Sequence, residues 1–283
     1  NYYKPEYVNE NFDCFVIPLA DAFRENFVNE LNELTSFVKK LKIPCYVIGV
    51  GLKESYEPDF SQPKPQDEAV KKFVTAVLEK SNCIGVRGEL TGKYLETLGF
   101  AEGRDFMVIG CPSMYMKGKR LHIQNPKLDV NSKVCFNSNV AASVPTRKFI
   151  KLKMKEFENH YFIGQVVNEL RSIYLGAPYE YKIEYNFRNV TDKIYQDGRL
   201  RFFCNVPKWM EFLNDSDLTF GSRLHGNIAA VLAGTPALLV TKDSRTRELA
   251  EYHHLNAIHE SKLNEKLTLQ DLVEQQDFTQ IEK

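Results

Sequence analysis

The 283-residue chain has no run of eighteen apolar residues, no net charge, no C-x-x-C pair and a single tryptophan. Each absence excludes something. A membrane-spanning helix needs about 20 consecutive apolar residues, and no signal-like start is present, so no membrane-spanning helix is expected. With 37 basic and 37 acidic side chains, no global field draws the chain to nucleic acid or to an acidic membrane. Any anion site must therefore be local. The six cysteines, at 14, 45, 83, 111, 135 and 204, lie mostly in apolar strand-like runs. They read as buried, reduced thiols of a cytosolic protein rather than disulfides or metal ligands. Cys111 is held apart because it stands beside a predicted strand end. Short repeats and low-complexity segments are absent. The chain begins with Asn1 rather than Met, so its ends are read as trimmed.

What is present suits two domains of about 100–200 residues each. Hydrophobic content of 43%, with 19 Phe and 14 Tyr, supplies a sizeable core. Apolar runs alternate with amphipathic stretches along the whole chain, the pattern of an α/β fold with parallel sheets. Strands are predicted at 12–19, 45–50, 83–86 and 106–109, with helices at 21–41, 68–80 and 89–98. This first domain spans 1–118. A polar, Lys- and Pro-rich stretch at 119–132 reads as a linker, and a second α/β domain spans 133–283. Its predicted strands are 134–136, 161–165, 201–204, 218–220, 237–240 and 257–259. Its predicted helices are 146–159, 167–175, 207–214, 223–233 and 269–276, with a further one carrying Arg245 and Glu248 after the loop that follows 237–240, while 178–198 carries no assignable pattern.

The stretch 219–255 organises the second domain. A short apolar strand ends at Gly221, Ser222 is a good helix N-cap, and a helix follows to Gly234 and Pro236. Gly226, Ala230 and Gly234 leave one helix face nearly bare, so that the helix can lie close on a sheet. Arg223 and His225 sit on its first turn. Uncommitted amides, the positive end of the helix dipole and a guanidinium make an anion site. An imidazole in the same turn moves a proton near neutral pH. The carboxyl end of a strand is where ligands bind in open α/β sheets.

The segment Ser222-Arg223-Leu224-His225-Gly226, with Ala233-Gly234-Thr235-Pro236 and Arg245-Thr246-Arg247-Glu248-Leu249, resembles the signature of the polysaccharide pyruvyl transferase family. Gly85-Val86-Arg87-Gly88 and Gly110-Cys111-Pro112-Ser113 extend the resemblance over most of the chain. It implies two Rossmann-like domains in a GT-B-like arrangement with an interdomain cleft. It implies phosphoenolpyruvate as donor and a pyruvate ketal on a sugar of a cell-surface polysaccharide or its precursor as product. No metal and no redox cofactor are required by that chemistry. The acceptor would be a lipid-linked or nucleotide-linked sugar, and the enzyme would be cytoplasmic, at the inner face of the membrane. A homo-oligomer is left open. Family members usually carry a glycine-rich loop of the G-N-x-G-D kind after their first strand, and none stands near Asn1.

The resemblance makes His225 the acid–base residue, with its direction of proton transfer open. Arg223 reads as a carboxylate or phosphate clamp, the alternative being a salt bridge to a neighbouring helix. Arg87, directly after a strand and before a glycine, is placed for a second anion ligand. Ser113 and Asn137 stand at predicted strand ends expected to face the same crevice. Ser222 belongs to the binding turn. Asn227, one turn on from Arg223, either holds it or binds ligand. Glu248 matches an acidic position that touches a ribose in glycosyltransferases of this architecture; the alternative is a charge pair. His253 and His254 point to different helix faces and lack a third ligand at useful spacing. Lys148, Lys151, Lys153 and Lys155 read as the solvated face of a helix. Gly49-Val50-Gly51 lacks the third glycine of a dinucleotide fingerprint. The runner-up function is a GT-B-type glycosyltransferase with a nucleotide-sugar donor. A non-catalytic binding protein on the same scaffold is a third possibility.

Overall fold

The apolar runs become parallel strands separated by helices, in two units: Asn1–Tyr115 with Lys242–His253, and Met116–Thr241 with His254–Lys283. The structure is a computed structural model that describes residues 4–123, 125–139, 141–177 and 190–282. In chain order the elements of the first part are α1 (Pro5–Asn11), β1 (Phe15–Pro18), α2 (Val28–Val38), β2 (Cys45–Val50), α3 (Asp67–Leu78), β3 (Ile84–Val86), α4 (Glu89–Thr97) and β4 (Phe106–Val108). Then come β5 (Val134–Asn137), α5 (Val144–Met154), β6 (His160–Gly164), α6 (Val167–Leu175), α7 (Lys193–Gln196), β7 (Leu200–Phe202), α8 (Val206–Asn214) and β8 (Leu218–Gly221). The last are α9 (Leu224–Ala233), β9 (Ala237–Thr241), α10 (Ser244–Tyr252), β10 (Ala257–His259) and α11 (Leu269–Glu274).

In the first unit the strands run in the order β1-β2-β3-β4, all parallel. One face of this sheet carries Ile17, Val47, Ile84, Val86 and Phe106 into a core shared with Leu31, Val38, Val70, Phe73, Val74 and Val77 from α2 and α3. Val16, Tyr46 and Met107 stand on alternate positions and are exposed. Helix α2 begins at Val28, seven residues later than the helical period predicts. Ala22 and Phe23 are drawn off instead: Phe23 pairs with Leu52, its amide donates to Gly51 O, and its ring is fully buried. Extended pairing at the sheet's edge overrides the local helical preference there. Helix α1, which buries only Val8, has no counterpart in the sequence reading.

The second sheet is also parallel throughout, in the order β10-β9-β8-β5-β6-β7. The chain enters at the centre with β5, winds outward to β7, then returns to the other side of β5 with β8. The order therefore reverses between β5 and β8, which leaves a crevice outside their carboxyl ends. Phe136, Phe149, Phe162, Phe220 and Leu238 fill the core, and Leu269, Leu272, Val273 and Phe278 close it. Helix α5 starts earlier than predicted because Ser143 caps it, accepting from Thr146 N, with Pro145 in the first turn.

Two features of the expected domain layout differ from the observed units. The polar stretch 119–132 is not a free connector, because Ile123 is buried in the second core with Leu121 and Leu128 packed against it. Helix α10 sits in the first unit although its sequence neighbours belong to the second. Glu54 and Ser55 hold its start: Ser244 N donates to Glu54 O, Glu54 N donates to Ser244 Oγ, and Ser55 pairs with Asp243. Of the unassigned stretch 178–198, residues 178–189 lie outside the described residues, and α7 lies at its end. Cys14 and Cys204 are exposed, unlike the buried thiols expected, since each stands just outside its strand.

Gly221 ends β8 with φ +158°, and a Cβ there would overlap the Asn137 carbonyl oxygen. Only glycine lets the carboxyl ends of β5 and β8 approach this closely. Gly221→Ala is expected to destabilise the second unit by on the order of 2–4 kcal/mol. Urea unfolding of the purified variant measures it, and an unchanged midpoint would refute the close-approach argument.

Candidate active site

The reversal between β5 and β8 brings five of the expected residues together: Asn137, Ser222, Arg223, His225 and Asn227. Asn137, at the end of β5, accepts from Ser222 N through its carbonyl (3.3 Å) and from Arg223 N through Oδ1 (2.8 Å). Ser222 Oγ accepts from Asn139 N at 2.8 Å. Asn227 Nδ2 donates to Gly221 O (3.1 Å) and Arg223 O (2.9 Å), so this side chain staples the end of β8 to the start of α9. Gly226 rests against Asn137 Nδ2 and Gln165 Nε2, which explains the bare face. The turn is thus fixed by hydrogen bonds from both strands. Ser222, expected to be the N-cap, instead serves the loop after β5. The N-cap position of α9 is Arg223, with no side-chain cap.

Arg223 is tied down rather than presented. Its Nε donates to Ser138 O at 2.7 Å, and Nη2 donates to Glu169 Oε1 at 2.7 Å. Glu169 is fully buried and also accepts from Val166 N and Gln165 N. The salt bridge to a neighbouring helix, the alternative reading for Arg223, is therefore the observed one. A buried carboxylate offsets the guanidinium, so the pair adds little net charge to the crevice. Sequence reasoning missed Glu169, although an acidic residue in the first turn after a strand was a usable signal.

What α9 offers a ligand is then its own first turn. The first amides of a helix have no intrahelical acceptor. Here the N-cap residue, Arg223, gives them no side-chain cap, and His225 is exposed on the same turn. The other helix start beside the reversal is differently equipped. At α5, Ser143 Oγ and Thr146 Oγ1 both donate to Glu260 Oε2, at 2.8 and 2.9 Å. A carboxylate at that start repels a second anion. The α9 turn, with a proton-transferring group and an uncapped positive end, suits an anionic substrate.

Arg87, Glu248 and Ser113 fall in the first unit. Arg87 follows β3, is buried, and donates through Nε to Gly49 O at 2.6 Å. Burial lowers its guanidinium below the usual range; Cys111, Asp21 and Glu248 pull the other way, while Arg245 adds to the lowering. Glu248, on α10, is buried too. It accepts from Thr91 N and Thr91 Oγ1, each at 2.9 Å. Thr91 lies in the first turn of α4, whose cap residue Gly88 has no side chain, so Glu248 supplies the cap from another helix. A Cβ on Gly88 would stand 2.7 Å from Glu248 Cβ, so the missing side chain makes the room. Burial pushes the Glu248 carboxyl up to about 7, although the Thr91 bonds and the Arg87 charge pull it down. Ser113 lies in a 3-10 helix, Pro112–Arg120, with its Oγ 2.9 Å from Cys111 Sγ. It and Asn137 belong to different units. Cys111 N donates to His253 Nε2 at 2.7 Å, so that histidine anchors the segment after β4. Lys153 is buried and paired with Glu156, which removes it from the expected solvated face. Among the described residues no helix is long and apolar enough to cross a membrane, and no group of three or more His, Cys, Asp or Glu could hold a metal ion.

Comparison with known proteins places this geometry. The family model for polysaccharide pyruvyl transferase matches residues 3–244. No curated protein matches the chain by sequence. A Listeria monocytogenes structure assigned as UDP-N-acetylglucosamine 2-epimerase is similar over 96% of this chain, with TM-score 0.51 and 13% identity. The chain spans 66% of that protein's length. The UDP-GlcNAc 2-epimerase of Neisseria meningitidis, solved with UDP-GlcNAc, aligns over 96% of this chain and 69% of its own at 12% identity, with TM-score 0.47. The likeness to the Listeria structure is one of fold: two parallel α/β units.

The Glu248 carboxyl gives a pH prediction. Its folded-state value, about 7, lies above the ordinary carboxyl value of 4.5, so the proton favours the folded state. Stability from this group is complete below about 4.5 and declines as pH rises to about 7. In Glu248→Gln that decline is removed, and the stability difference between variant and wild type shifts by about 3 kcal/mol across the window. Urea unfolding at pH 4.5 and pH 8 measures it. A difference that stays constant with pH would show that Glu248 does not titrate there.

Proposed function

The chain belongs to the polysaccharide pyruvyl transferase family, and from that premise we propose that it moves the pyruvyl group of phosphoenolpyruvate onto a sugar of a cell-surface polysaccharide or its precursor. The observation that carries the reading within the structure is the exposed imidazole of His225 on the uncapped first turn of α9, at the point where the sheet order reverses. Phosphoenolpyruvate has a carboxylate and a phosphate for the first-turn amides to hold, and a methylene carbon that must gain a proton.

The steps follow from the donor's chemistry. A proton added to the methylene carbon makes a methyl group and leaves the neighbouring carbon electron-poor. One sugar hydroxyl adds to that carbon and gives up its proton. The carbon–oxygen bond to phosphate then breaks. A second hydroxyl adds, loses its proton and closes the ketal. One of the two hydroxyl protons replaces the proton spent on the methylene carbon, and the other leaves with inorganic phosphate. His225 delivers or receives these protons. The helix start holds the negative charge in place throughout. Arg223 acts as a positioning residue: with Asn137, Asn227 and Glu169 it fixes the turn on which His225 stands. No metal or redox cofactor has a step in this scheme.

The alternative, a glycosyltransferase with a nucleotide-sugar donor, is suggested by the fold likeness alone. Thermal unfolding separates the two. Phosphoenolpyruvate at 100 times its dissociation constant is expected to stabilise the chain by about 2.7 kcal/mol. UDP-, GDP- and CMP-sugars serve as comparators, and the excess over them identifies the donor. His225→Ala should keep that stabilisation and lose phosphate release in the presence of acceptor. Stabilisation by a nucleotide sugar and none by phosphoenolpyruvate would overturn the pyruvyl reading.

A further inference from the structure

The second unit has an outer face that the reaction above does not use. Strands β5, β6 and β7 follow one another in one direction across the sheet. Right-handed crossovers therefore put α5 and α6 side by side on one face of it. The return to β8 and on to β9 puts α8 and α9, which pack together, on the other. On α5, Val144, Lys148, Lys151 and Leu152, with Lys155 at the helix end, recur at the helical period, and all are exposed. On α6 the outward stripe begins at Val167, passes Arg171 and ends at Tyr174 and Leu175. Val167 is 62%, Tyr174 64% and Leu175 77% exposed. Such values are unusual for apolar side chains on a regular helix, and a contiguous patch of them marks an interaction surface.

The two outward faces carry four cations and no carboxylate. Lys148, Lys151, Lys155 and Arg171 have no ion-pair partner among the described residues. The acids beside α5 are committed elsewhere. Glu156 accepts from Lys153 Nζ at 2.7 Å and from Leu269 N at 3.0 Å, and Glu260 accepts from the hydroxyls of Ser143 and Thr146. Glu169, the one acid of α6, is buried against Arg223. In a chain of zero net charge this is a local positive field. A protein partner would need an acidic face of matching shape. A bilayer with anionic lipid offers negative headgroups over its whole area, with hydrocarbon beneath them for Leu152, Val167 and Leu175. Lysine stems lie along such a boundary with the ammonium in the headgroups, and tyrosine is at home there. Interleaved cations and apolar side chains on one face thus fit a bilayer better than an acidic protein.

We propose that the outward faces of α5 and α6 dock the second unit on a bilayer containing anionic lipid. The four cations meet the headgroups, and the apolar side chains enter the interfacial layer. Helix α6 joins this surface to the candidate active site: Glu169 on its inner side holds Arg223, and the outer stripe starts two residues earlier at Val167. The docking does not rest on the pyruvyl reading, because none of the docking residues belongs to the α9 turn.

Vesicle flotation of the full chain, without donor or acceptor, tests this. The vesicles are equimolar phosphatidylglycerol and phosphatidylcholine, or phosphatidylcholine alone. Wild type should float with the anionic vesicles and not with the neutral ones. Binding should weaken as salt rises above about 0.1 M, where the screening length falls below about 10 Å. Each cation at an anionic surface is worth about fivefold in affinity, so Lys148→Gln/Lys151→Gln should weaken binding by about tenfold or more. Lys148→Arg/Lys151→Arg, which keeps the charge, should bind like wild type. Lys39→Gln/Lys40→Gln, which removes two exposed lysines of the first unit, should do the same. Val167→Ser/Leu175→Ser should weaken binding by about fivefold or more through lost apolar burial. The unfolding midpoint should stay at the wild-type value in each variant. No flotation of wild type with anionic vesicles would overturn the proposal, and so would an equal loss in the Lys39/Lys40 variant. Lysine-dependent binding that ignores Val167 and Leu175, and that dextran sulfate in solution matches, would replace the bilayer by an acidic macromolecule. Vesicle binding by a chain that fails to bind phosphoenolpyruvate would uphold the docking and remove the donor reading.

Discussion

The carboxyl end of β5 is tied to the start of α9 by one side chain and one carbonyl of Asn137, and the first turn of α9 depends on that tie. Two adjacent amides, those of Ser222 and Arg223, point at Asn137. Gly221 gives up its side chain so that the two strand ends can meet. Each further contact extends the tie. Asn227 closes the turn from the helix side, and Arg223 carries it across the loop at Ser138 to Glu169 on α6. Such a network is strong when every member is satisfied and costly when one is removed.

The same network separates two roles that sequence reasoning gives to one turn. A guanidinium and an imidazole two residues apart look like a clamp and a proton carrier. In the fold Arg223 turns inward to a buried carboxylate, while His225 stays exposed. Charge balance explains the division. An arginine beside the positive end of a helix is unfavourable unless an acid offsets it, and Glu169 does so. On the proposed reading the anion is held by the backbone, which no composition reveals.

Much of the fold was legible because period and punctuation agree. Gly234 and Pro236 end α9 where expected, and the run from Ala237 is a fully buried strand. The signature itself pointed to the helix after β8. What was not legible is long-range. Nothing local shows that Glu169 meets Arg223, or that Glu248 caps α4, because those partners lie 54 and 157 residues away. The placement of α10 failed for the same reason: its docking rests on Glu54 and Ser55, in a polar loop that reads as unstructured. Phe23 leaves its helical pattern for a pairing with Leu52 that only the folded sheet provides.

The central claim is that the first turn of α9 holds the donor's negative groups beside His225. Amide chemical-shift mapping of the isotope-labelled chain during titration with phosphoenolpyruvate tests it most directly. The account predicts saturable shifts at the amides of Leu224, His225 and Gly226 and at the His225 ring, with smaller changes elsewhere. Saturable binding whose shifts leave that turn untouched would contradict it, and the donor site would have to be sought on other residues.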